Sequence, residues 1–143
     1  MVDNELTADE NLRAVAALEA ITADDDANLA ALAGPGERPL PDLLAAYGQH
    51  ILQRLMLAAF GADPTMGVDE IRRITAEVNA DQQARIVFLL ADTLKKWAAT
   101  AGDDLAVAKD IGSAVLLAVG TFADVDDTAV VLRALRAQVL QQD

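Results

Sequence analysis

Thirty of the 143 residues are alanine, while phenylalanine, tryptophan and tyrosine together supply only five. Alanine is the best helix former and among the poorest core fillers. A chain built this way forms helices readily and packs them closely. Leu, Ile, Val and Met must then supply most of the buried area. Apolar residues make up 53% of the sequence, enough for a real core in a chain of this length.

The helices can be placed by periodicity and punctuation. Thr7-Ala8-Asp9-Glu10 fits a capping box, and Leu12, Val15 and Leu18 follow at helical spacing to about Thr22. Asp24-Asp25-Asp26 opens a short second helix with Leu29 and Leu32, which Gly34 is expected to stop. Pro35, Gly36, Pro39 and Pro41 fall within seven residues and, after Gly34, form an ordered connector too short for an interdomain linker. The third helix runs from Pro41 to Phe60, with Leu43, Leu44, Tyr47, Ile51 and Leu55 on one face and Gly61 at its end. Val68, Ile71, Ile74 and Val78 mark the fourth.

The fifth helix spans about Asp81 to Thr100, its main stripe being Ile86, Leu90, Thr93, Leu94 and Trp97. Ile86, Leu90 and Trp97 are expected in the core. Phe88 and Leu89 fall outside that stripe and form a candidate interface. The sixth helix, Asp103 to Val119, is polar only along the narrow stripe of Lys109, Asp110 and Ser113 after its first turn. It is therefore expected to be nearly surrounded by protein, with Gly112 marking the close approach of another helix. A seventh begins near Asp126 and reaches Gln141, with a seam of Val131, Leu135 and Val139. No strand pattern persists and no repeat occurs. The expected architecture is a single all-α domain over residues 1–143. It is an irregular or orthogonal bundle of six or seven helices, with the fifth and sixth central and residues 1–6 frayed.

Formal net charge is −12. Residues 1–42 carry −8, residues 43–100 carry zero and residues 101–143 carry −4. Phosphate affinity rests on Lys and Arg, so nucleic acid and anionic membrane surfaces are not expected partners. The segment Val68–Trp97 imitates helix-turn-helix spacing, but its bases are balanced by acids and leave no basic recognition face. No run approaches a continuous apolar span of bilayer length, and the acidic start is unlike a signal peptide, so a cytoplasmic location is expected.

The chemistry-bearing patterns fail one by one. The chain has no cysteine, which removes thiol catalysis, disulfides and Cys-ligated zinc. Asp124-Val125-Asp126-Asp127 begins like a calcium loop, but Ala129 stands where Gly is needed and Leu135 where Glu is needed. The aspartate runs are expected to cap helices instead. His50 is the only histidine and belongs to no Glu-x-x-His or His-Glu-x-x-His pattern; haem is disfavoured by the same poverty of ligands and aromatics. Gly34-Pro35-Gly36 follows no strand and matches no phosphate loop, and Ser113 sits in no nucleophile elbow. No cofactor or metal is implied.

The sequence therefore points to a non-catalytic helical interaction module that binds a protein partner or itself. An acidic inhibitor, immunity protein or DNA mimic directed at a basic partner is the alternative, and an enzyme working through carboxylates alone is a second one. Whatever the partner, twelve net negative charges repel one another in the folded chain. The melting temperature should climb from low salt to about 0.15 M, where the screening length is about 8 Å. A flat or falling curve in differential scanning calorimetry would show that attractive pairs outweigh the repulsion.

Overall fold

The computed structural model describes residues 6–34 and 37–141. Among these residues the chain is all-helical, with seven helices and no strand: α1 (Ala8–Thr22), α2 (Asp26–Ala31), α3 (Leu40–Ala59), α4 (Val68–Ala80), α5 (Gln82–Ala101), α6 (Leu105–Ala123) and α7 (Thr128–Leu140). Residues 1–5 of the expected frayed start, and Pro35 and Gly36 of the connector, lie outside the described residues.

Local chemistry sets the boundaries. At α1, Thr7 Oγ1 accepts from the Glu10 amide at 3.0 Å and Glu10 Oε1 accepts from the Thr7 amide at 3.0 Å, completing the capping box. Asp25, Asp81, Asp104 and Asp127 each cap a helix by accepting backbone N–H groups. Pro41 occupies the first turn of α3, where its missing N–H costs nothing.

Two of the aspartate runs serve two helices each. Asp24 and Asp124 adopt left-handed backbone, at φ 54° and 57°, and close α1 and α6. The following amides bond back to Ala20 and Gly120, at 2.9 and 2.8 Å, in Schellman-type turns. Asp25 and Asp127 then open α2 and α7. The last run is therefore divided: Asp124 ends α6, which extends to Ala123 where the sequence pattern suggested Val119. Gly34 is not needed as a stop, because α2 ends at Ala31 with Leu32 still in right-handed backbone.

The expected centre is corrected. Helices α3 and α6 form the middle of the bundle; α5 packs on one flank of α3 and is buried along one side only. Eleven residues of α3 are buried, from Leu40 through Met56. Helix α1 lies against α3, α6 and α7, and α4 leans on α5 and the end of α3. The main core joins Leu18, Leu29, Leu43, Leu44, Leu94, Ile111, Val115 and Leu135 from six helices. A second cluster, Met56, Ile74, Val78 and Ala84, lies under α4, and all three phenylalanines border it.

Helix α6 is long and apolar enough, by length and composition, to cross a membrane. Here Ala108, Ile111, Val115 and Val119 are spent on the core. It is less enclosed than its sequence suggested, since Ser113, Leu117 and Thr121 reach the surface.

Glycine lets the central helices meet. A methyl group on Gly48 of α3 would lie 2.6 Å from Val115 Cγ2 of α6. One on Gly112 of α6 would lie 2.5 Å from Ile21 Cδ1 of α1, which is the close approach expected there. Ion pairs tie the outer elements. Arg136 of α7 donates to both carboxylate oxygens of Glu19 on α1, the Nε bond being 3.0 Å. Lys109 meets Asp26 at 3.0 Å, and Arg38 spans Glu10 and Asp42. Arg13 Nε donates to the Leu32 carbonyl at 2.6 Å, lashing the end of α2 to α1.

The two glycines should respond differently to alanine. Ile21 Cδ1 is the end of a flexible side chain and can swing aside, whereas Val115 is β-branched and stiff. Gly48→Ala should cost about 1–3 kcal/mol in denaturant unfolding, and Gly112→Ala less. Adding Val115→Ala to Gly48→Ala should cost less than the two single losses summed. Additive losses would show that the Gly48–Val115 contact does not set the α3–α6 spacing.

Candidate functional site

Helix α5 owes its orientation to its smallest side chains. Ala84, Ala91 and Ala98 recur every seven residues, and with Leu94 they form its buried face against the bundle. Smooth alanine surface permits a close approach to α3 that larger side chains would block. Asp81 Oδ2 fixes the start by accepting from the Ala84 amide at 2.9 Å, and Gly102, at φ 60°, ends the helix.

This choice of face overturns the expectation that Ile86, Leu90 and Trp97 are core. Ile86 is 62% exposed, Leu89 65%, Leu90 40% and Trp97 41%. At about 100° per residue these four and Thr93 share one face, opposite the alanine seam. Of the expected stripe only Leu94 is buried; Ile86, Leu90 and Trp97 lie on the outer side, together with Leu89, which the periodicity had left out. The signal that could have corrected it is the alanine heptad. The bulky stripe cannot enter where two backbones meet so closely.

The two candidate interface residues separate. Leu89 lies in the exposed stripe. Phe88 is half-buried and packs against the second cluster, beside Val87 and near α4. Thr93, the one polar member of the stripe, donates its hydroxyl to the Leu89 carbonyl at 2.8 Å, and Thr100 does the same to Trp97 at 2.9 Å. Their donors are thus satisfied inside the helix, and the face behaves as apolar surface. Arg85, Asp92 and Lys96 flank it on one side, with Lys96 and Asp92 paired at 3.0 Å.

Other exposed apolar side chains stand apart from this stripe. Val68, Leu117 and Leu140 lie on α4, α6 and α7. Single exposed residues of that kind are ordinary on protein surfaces. An ordered row of four large ones along one helix is not.

No comparable concentration of reactive groups occurs among the described residues. Among the described residues no group of three or more His, Cys, Asp or Glu side chains is arranged to hold a metal. His50 is half-buried on α3 and has an interaction partner. Tyr47 is buried, and its hydroxyl has no hydrogen-bond partner among the described residues. Burial holds that phenol far above its ordinary pKa, with the charge of Arg54 opposing the shift in part. It is a buried neutral group, unsuited to acid–base work near neutrality.

No known protein family matches the sequence, and neither a curated protein nor a solved structure does.

The different settings of Phe88 and Leu89 are open to direct test. Phe88→Asp should destabilise the fold by several kcal/mol, since it places a carboxylate against the apolar cluster of Met56, Ile74, Val78 and Ala84. Leu89→Asp should change the unfolding free energy by about 0.5 kcal/mol or less. Equal losses in urea unfolding would show that the stripe is packed inside the fold.

Proposed function

We propose that this protein is a non-catalytic helical interaction module that self-associates through the exposed face of α5. The exposed row Ile86, Leu89, Leu90 and Trp97 carries this reading. A continuous apolar stripe on a helix is what one helix needs to pack against another, and Trp is a frequent anchor at such contacts.

A second copy is the occupant that the charge layout favours. The neighbours of α5 are α3, α4 and α6, while α1 and α2 lie away from it. Helices α1 and α2, which belong to the strongly acidic segment of residues 1–42 at −8, are therefore away from the α5 face, and residues 43–100 are net neutral. Two copies joined through α5 bring their least charged regions together and hold their acidic ends apart. In a parallel pairing the flank bearing Arg85 and Lys96 faces the opposite flank of the other copy, where Gln83 stands.

The reading as an acidic mimic has less support. Much of the carboxylate is engaged locally: Asp25, Asp81, Asp104 and Asp127 cap helices, and Glu10, Glu19 and Asp26 pair with bases.

Sedimentation equilibrium should give a mass that rises toward a dimer with concentration. Leu89→Asp and Trp97→Ser should each yield a folded monomer with unchanged circular dichroism. A wild-type chain that stays monomeric to about millimolar concentration, where even a weak contact of about 4 kcal/mol would show, would sink self-association.

A further inference from the structure

Helices α3, α6 and α7 do not close completely on one another. Between them lies a half-open cavity of about 290 Å³, walled by Ile51, Leu55, Val119, Val131, Ala134 and Leu135. That is near the lower end of the range for small-molecule sites, about 300 Å³ upward. The cavity exists because small side chains stand where the helices diverge: Ala58 on α3, Ala123 on α6 and Ala134 on α7.

Only two polar side chains border it, Arg54 of α3 and Gln138 of α7. With the Gln138 amide oxygen turned toward Arg54, it accepts from both terminal guanidinium nitrogens, at 3.1 and 3.2 Å. Arg54 forms no ion pair with a carboxylate among the described residues. A guanidinium held at the mouth of an apolar cavity by a neutral amide keeps its full charge for an incoming anion. Its planar fork suits a carboxylate, which would exchange one neutral acceptor for two charged oxygens.

We propose that this cavity binds a small amphiphile with an apolar body and a carboxylate head, such as a medium-chain fatty acid. The body lies among Ile51, Leu55, Val119, Val131 and Leu135, and the head meets Arg54 with Gln138 beside it. The cavity is built from α3, α6 and α7, so the proposal is independent of the α5 surface.

Sodium octanoate and octanol are the probes. They share a chain length and differ in the charge of the head. Titration calorimetry on the full chain should show saturable octanoate binding, with methyl resonances of Leu55, Val131 and Leu135 shifting while those of Ile86 and Leu89 do not. Arg54→Gln, a surface change, should weaken octanoate by about tenfold and leave octanol unchanged. Ala134→Leu should fill the space and remove binding of both, with a melting temperature equal to or above that of the wild type. If Ala134→Leu loses its fold by circular dichroism, Arg54→Gln alone decides the matter. Equal loss or no loss for the two probes on Arg54→Gln would overturn the proposal. So would the absence of saturation, or shifts that map to α5.

Discussion

The fold depends on how closely its helices can approach one another. With five aromatic residues in 143, the chain cannot fill wide gaps between helices. It narrows the gaps instead. Gly48 admits Val115, Gly112 admits Ile21, and the seam of Ala84, Ala91 and Ala98 lays α5 against the bundle. Each contact trades side-chain volume for proximity, and dispersion between closely packed atoms supplies part of what large side chains would otherwise give. The arrangement also decides which apolar residues are left over. Once the small side chains take the inside of α5, its bulky ones have only the outside.

Most of the architecture was legible in the sequence because it is written in short-range chemistry. Thr7 with Glu10, the aspartates ahead of α2, α5, α6 and α7, and Pro41 in the first turn of α3 each act within four residues. Gly112, a poor helix former inside an apolar helix, announced a neighbour, and α1 is that neighbour. The failures lie where the outcome depends on the partner surface. Periodicity found two apolar faces on α5 but had no means to rank them, because size complementarity with α3 is a property of two helices. The same reason made α5 look central when α3 is. The double role of the two aspartate runs was hidden too, since a left-handed aspartate such as Asp24 or Asp124 and a capping one such as Asp25 or Asp127 are the same letter.

The candidate site was half legible. Excess apolar surface on α5 was visible, and Leu89 is part of it. Phe88 packs instead against the second cluster, to which α4 contributes Ile74 and Val78. The exposed face thus consists of residues that looked most like core. In an alanine-rich protein the largest side chains are not automatically the most buried. The places that exclude them are those where the helices are closest.

The bond between Arg136 and Glu19 joins the last helix to the first. Helix α7 packs along α1, so the inner face of α1 is not fully sheltered until residues beyond 131 have been made. On the ribosome, α1 would emerge as a capped helix with Val15, Leu18 and Ile21 uncovered while more than a hundred residues follow. The topology therefore imposes a late, cooperative closure. Local helices form early, and the bundle cannot complete its core until its last helix docks.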